Sequence, residues 1–146
     1  MAASKPDDSS IILGRFFTNE NGQFPSFVDA IDSFEHVKIV RLKGRLDSQA
    51  SGEMGYFFKK VQKSPGQLDR SVLLDFRKVE SVETTAIAQL LKILTLLKKK
   101  NYRLGLFNVP EIMSGMLEVL KLENVFQIFD SKAKAYKAIL EWSHEW

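Results

Sequence analysis

The stretch "SVLLDFRKVESVETTAIAQLLKILTLLKKK" runs from Ser71 to Lys100. It opens on a continuous apolar run, Ser71–Phe76, of the kind found in a central strand buried on both faces. It closes on a helical pattern. Ile87, Leu90, Leu91, Leu94 and Leu97 recur at spacings of three and four and share one face over about Thr84 to Lys100. Lys98 to Asn101 ends that helix with positive charge, where the helix dipole favours it. Between strand and helix stand Glu83, Thr84 and Thr85. A threonine in this place suits an N-cap, because its oxygen can accept a bond from an unpaired backbone N–H. A phosphate on the same hydroxyl would meet those N–H groups and the positive end of the dipole. It would also add about two negative charges near neutral pH.

The flanks repeat the alternation. Upstream, Val37–Leu42 alternates apolar and basic residues and reads as a strand closed by Gly44. Met54, Phe57, Phe58 and Val61 then mark one face of a helix, which Ser64–Gln67 breaks. Downstream, Tyr102–Val109 reads as a strand. Pro110 suits the start of a helix with Ile112, Met113, Met116, Leu117 and Leu120 on one face. Asn124–Asp130 is a short strand, and Ser131 caps a last helix with Ala135, Tyr136, Ile139 and Leu140 inward. Before this unit, residues 1–9 read as a disordered lead. Residues 10–36 read as an N-terminal strand, Ile11–Phe17, followed by a turn at Asn19–Gly22 and a Phe-rich insert. Phe27, Ala30, Ile31 and Phe34, placed after Ser26, have the spacing of a short helix. Alternating strands and helices predict an α/β fold with a largely parallel sheet of four to five strands and about four helices.

Composition narrows the function classes. The 146 residues fit one domain, and no apolar run is long enough for a membrane span. The net charge of +3 is too small to suggest a nucleic-acid protein. There are no cysteines, and His36 and His144 are too few and too far apart in sequence to suggest a metal site. The expected location is the cytoplasm. The starting Met and acidic lead favour a complete small protein. No cofactor is expected: phosphate-binding glycine loops and the nucleophile elbow of hydrolases are missing. Asp47 and Asp75, both near strand ends, are the carboxylates that a catalytic pair would need, but nothing in the sequence sets their separation, and solvated or capping acids are the favoured account. A phospho-aspartate receiver built on Asp75 lacks the acidic pair and the late lysine it would require. The chain is therefore read as a non-enzyme.

Two motifs carry a family likeness. "LKGRLD" (Leu42–Asp47) resembles the strand-ending L-x-G-x-L-D of STAS domains, found in bacterial anti-sigma factor antagonists and in the cytoplasmic parts of sulfate-permease-type transporters. "VLLDFRKVESVETTAIAQLL" resembles the same family's signature around D-S-S-G. The likeness covers about Val37 to Leu140, so residues 37–146 are read as the STAS-like domain. The resemblance implies a mixed sheet with helices and a phosphorylatable residue at the D-S-S-G turn. Glu83 stands for its Asp, Thr84 for its first Ser, Thr85 for its phosphorylated Ser, Ala86 and Ala88 for its two glycines. Each departs from the motif by a small step. A threonine keeps the hydroxyl and adds a methyl, and each alanine adds a Cβ where a partner approaches. A switching and a non-switching module both fit these residues.

The resemblance implies a protein partner, an anti-sigma factor kinase, met by Asp47, Glu83, Thr84, Thr85, Ala86, Ala88 and Gln89. Thr85 is the first phosphorylation candidate and Thr84 the second. The alternative is an accessory subunit or domain of an anion or lipid transporter. Nucleotide sensing ranks third for want of a glycine loop. Phe16, Phe17, Phe24, Phe27 and Phe34 suit either a flap over the sheet or a homodimer contact. Lys98, Lys99, Lys100 and Arg103 suit a solvated helix end or, second, an anionic partner.

Overall fold

The structure, a computed structural model, describes residues 23–34, 37–63 and 69–143. Its elements are β1 (Val28–Ser33), β2 (Val37–Leu46), α1 (Ser48–Lys63), β3 (Ser71–Val82), α2 (Thr84–Lys99), β4 (Leu104–Phe107), α3 (Glu111–Val119), β5 (Gln127–Phe129) and α4 (Lys132–Ser143). The strands lie in sequence order across one five-stranded sheet. β1 runs antiparallel to β2, and β2, β3, β4 and β5 are mutually parallel. Among the described residues there are five strands and four helices, in the largely parallel sheet that the alternating pattern predicts and of the mixed kind that the resemblance implies.

Each face of the sheet has its own core. Val72, Leu74 and Phe76 of β3 point into the larger one, with Met54, Phe57 and Phe58 of α1, Ile87, Leu90 and Leu94 of α2, and Met113 and Leu117 of α3. Leu73 points the other way, into a smaller cluster with Val37, Ile39, Phe107, Ala135, Ala138 and Trp142. So β3 is buried on both faces, as its unbroken apolar run requires. On the smaller face α4 comes close to the sheet at Gly105. A Cβ there would lie 2.8 Å from Phe129 Cε2, 2.9 Å from Trp142 Cη2 and 3.0 Å from Leu73 Cδ1.

Helix ends follow local chemistry. Asn101, with φ of 64°, closes α2: its own N–H meets Lys98 O at 3.0 Å and the Tyr102 N–H meets Leu97 O at 2.9 Å. Ser131 caps α4 by accepting the Lys134 N–H at 3.1 Å, as expected.

Four local expectations are corrected. Residues 26–34 form no helix. Val28–Ser33 is a strand, because β2 offers it a ladder and Phe27 and Val28 a place in the larger core. β2 does not stop at Gly44 but continues to Leu46 through a bulge, where Gly44 takes φ of 76°. In α3, Met113 and Leu117 face inward, while Ile112 and Leu120 are exposed. In α4 the inward residues are Ala135, Ala138 and Trp142, and Tyr136 and Leu140 are exposed. Trp142 reaches the sheet over Gly105, which has no Cβ in its way. Of the phenylalanines near the N-terminus, Phe27 is buried and Phe24 and Phe34 are half-exposed. The lead over residues 1–9, the strand at Ile11–Phe17, the turn at Asn19–Gly22, Phe16, Phe17, His36, His144 and the break at Ser64–Gln67 lie outside the described residues.

Candidate functional site

Parallel pairing of β2 with β3 brings the starts of α1 and α2 together. Leu46 pairs with Val82, and the Glu83 N–H bonds to Leu46 O at 2.9 Å, so both strands release their chains side by side. Asp47 caps α1: its Oδ1 accepts the Ala50 N–H at 3.0 Å and its carbonyl accepts the Ser51 N–H at 2.8 Å. At α2 the cap position belongs to Glu83, not to a threonine. Glu83 has extended backbone angles and makes no side-chain cap bond. Its carboxylate reaches across instead and accepts the Ser48 hydroxyl at 3.2 Å. Thr84 and Thr85 are therefore the first two helical residues, and both are exposed.

Thr85 Oγ1 lies 3.0 Å from Ser51 Oγ. Ser51 is 4% exposed, and its hydroxyl also sits 2.7 Å from Asp47 O. A serine has one hydroxyl proton. A carbonyl can only accept, so that proton goes to Asp47 O and the Thr85 hydroxyl donates to Ser51. The result is a relay from an exposed threonine through a buried serine to the cap of α1. Ser51 is the site residue that sequence reasoning missed. Its signal was position: it lies three residues before Met54 and seven before Phe58, on the inward face, where a hydroxyl needs a partner. Ala86 is buried in the larger core beneath the threonines, and Ala88 is exposed beside them. Gln89, one turn further, lies across α1 at Gly55. A Cβ on Gly55 would come within 3.2 Å of Gln89 Nε2.

Asp75 belongs elsewhere. It is 5% exposed and accepts the Arg77 N–H and the Asn108 side-chain amide, each at 2.9 Å on Oδ1. Arg41 Nε stands 3.6 Å from its other oxygen, and Arg41 also bonds Asp29 at 3.2 Å. Asp47 and Asp75 thus serve separate networks and do not form a carboxylate pair. A further charged group gathers where β2 and β3 begin. Lys38 is buried, and loss of water pushes its ammonium down from 10.5 to about 8, with Asp69 pulling it up and Arg70 pushing it down. Burial likewise raises the Tyr102 hydroxyl, helped by Asp69 and opposed by Arg70. Arg70 donates to Phe34 O and sits 3.4 Å from Asp69. Among the described residues no cluster of His, Cys, Asp and Glu could hold a metal ion, and no helix is long and apolar enough to cross a membrane.

A five-stranded mixed sheet carrying a hydroxyl at the first turn of the helix after its central strand defines a class of small α/β domains. The family model of the STAS domain matches residues 30–135, and the chain belongs to that family. The match begins inside β1 and ends inside α4. Solved structures agree on the fold. A candidate anti-sigma factor antagonist from Thermotoga maritima superposes with a TM-score of 0.64 at 16% identity, over 75% of this chain and 92% of that one. The anti-sigma factor antagonist SpoIIAA in its unphosphorylated form gives 0.57 at 12% identity, over 77% and 96%. The Bacillus cell fate determinant SpoIIAA in its phosphorylated form gives 0.56 at 15% identity, over 75% and 97%. At these identities the likeness is one of fold. No curated protein matches the chain.

Proposed function

We propose that this chain is a non-enzymatic, protein-binding regulator of the anti-sigma factor antagonist kind, switched by phosphorylation at Thr85, with an anti-sigma factor kinase as partner. The observation that carries the proposal is the placement of Thr85. Its hydroxyl is on an exposed first helical turn, at the junction of two helices, bonded to a buried serine. Esterification of Oγ1 removes the proton that Thr85 gives to Ser51, whose own proton is engaged with Asp47 O. The phosphoryl group is then turned outward, onto the surface that Glu83, Thr84 and Ala88 present. A partner docked there loses contact through repulsion and desolvation. The SpoIIAA neighbour, solved in both forms, supports the reading by analogy.

The test is incubation with an anti-sigma factor kinase of the same organism and ATP, followed by mass spectrometry and binding measurements. Wild type gains one phosphate at Thr85, Thr85→Ala gains none there, and Thr85→Glu binds the kinase at least tenfold more weakly, about 1.4 kcal/mol. A wild type that is never modified and binds no better than Thr85→Glu ends the proposal.

A further inference from the structure

Along α1 and α2, leading away from Thr85, runs an open groove of about 700 Å³. Ser51, the partner of Thr85, stands at its head beside Gln89. One wall reaches from Ser51 to Gln62, the other from Gln89 to Lys99. At 1.5 Å per residue each wall is roughly 15 Å long, or about three helical turns. Phe58, Leu91 and Leu96 supply apolar surface, and Lys59, Lys92 and Lys99 the charge. Among the described residues no acidic side chain lines the groove. The two helices show the same bias, with three lysines each and Glu53 as the one acidic residue of the pair. Glu53 is engaged elsewhere, accepting the Ser26 hydroxyl. Gln89 Oε1 is buried and accepts no hydrogen bond among the described residues.

We infer that this groove seats an acidic amphipathic helix of the partner protein. The inference rests on the partner-binding reading above and names the partner's chemistry. Lys92 and Lys99 are seven residues apart on one helix, so their stems are separated by about 10 Å along the groove. That spacing suits carboxylates at i and i+7 of a docked helix, whereas a single phosphate would need the lysines to converge. The apolar residues between the lysines suit a leucine stripe. Gly52, which leaves open space above α1, lets a second backbone come near. A donor on the docked segment satisfies Gln89 Oε1.

The experiment is an NMR titration of the full-length, isotope-labelled chain. The probe is an amphipathic peptide of about sixteen residues with a leucine stripe flanked by glutamates, and its counterpart with lysines in place of the glutamates is the control. The glutamate peptide should shift the amides of residues 51–62 and 89–99 and bind at least about tenfold more tightly than the lysine peptide. Its affinity should fall several-fold between about 50 and 300 mM salt. Lys92→Glu/Lys99→Glu should lose about tenfold or more and keep its thermal midpoint, while Lys132→Glu/Lys134→Glu on α4 should bind as wild type. Equal binding of both peptides, no binding, or shifts confined to another face overturns the inference. So does an outcome in which ATP, GTP or anionic vesicles shift the groove and the glutamate peptide does not. Thr85→Glu separates the two proposals. Weakened peptide binding supports both. Unchanged binding leaves the groove standing and counts against the switch.

Discussion

Replacing Lys38 by methionine probes a charge buried in the sheet. Lys38 is 1% exposed, and its ammonium is pushed down from 10.5 to about 8. At about 1.4 kcal/mol per pH unit, a gap of about 2.5 units makes the charged form about 3 kcal/mol costlier in the native state than in the unfolded chain. Below pH 8 both states hold the proton, so the native state bears the whole cost. Between pH 8 and 10.5 the unfolded chain keeps the proton and the native state releases it. Stability therefore rises with pH across that window. Tyr102 acts in the opposite direction, since its raised pKa lets the native state hold a proton that the unfolded chain loses, but only from about pH 10 upward. Urea unfolding at pH 7.0 and 9.5 avoids that region. Wild type should gain about 2 kcal/mol over this interval. Lys38→Met should stay flat within about 0.5 kcal/mol and be the more stable of the two at pH 7. The advantage at pH 7 is smaller than the lost slope, because Lys38 keeps an interaction inside the fold that methionine gives up. A wild type whose stability is flat or falling between pH 7 and 9.5 would refute the reasoning.

Two further substitutions test the smaller face of the sheet. Gly105→Ala forces a Cβ against two aromatic rings and a leucine and should cost about 1–3 kcal/mol in urea unfolding; a neutral outcome would mean that α4 is not held closely there. Asp75→Ala takes the acceptor from the Asn108 amide and the Arg77 N–H and leaves Arg41 to Asp29 alone, and should cost about 1–3 kcal/mol, with Asp75→Asn costing less; a loss under about 0.5 kcal/mol would show that water already serves these groups.

What the sequence made legible was set by how local each signal is. β3 and α2 follow from periods of adjacent residues, and α2 ends where Asn101 can adopt positive φ. β1 was hidden because Phe27, Ala30, Ile31 and Phe34 have helical spacing, and only the ladder to β2, a non-local partner, overrides it. The inward face of α4 was hidden for a related reason. Its inward residues, Ala135, Ala138 and Trp142, are set by a cluster with Val37, Ile39, Leu73 and Phe107 from distant strands, and Trp142 sits close over Gly105. At the site, the turn itself was legible and its partner was not. Glu83, Thr84 and Thr85 stand together in sequence, whereas Ser51 meets Thr85 only because parallel pairing sets β2 beside β3.

That pairing also decides how far a charge at Thr85 can be felt. The hydroxyl and the groove share the same two helices, so a phosphate would sit at the groove's head, near Ser51 and Gln89. Two unit charges about 10 Å apart interact by about 0.4 kcal/mol in water and about 1.7 kcal/mol at an effective dielectric of about 20. A phosphate of about two charges therefore opposes a carboxylate seated near Gln89 by about 1–3 kcal/mol, enough to weaken binding from about fivefold to over a hundredfold. A carboxylate held at Lys99 lies roughly 15 Å further along the groove, beyond the screening length of about 8 Å at physiological salt, and feels little of it. On the two proposals taken together, a phosphate at Thr85 would act on the first turn of a docked helix and leave the lysines at the far end to hold the rest. Release would then be graded by how much acidity the partner carries in that first turn. Moving the glutamates of the peptide toward its Gln89 end should steepen the loss of affinity in Thr85→Glu, and moving them toward Lys99 should abolish it; equal losses for both placements would break the link between the two sites.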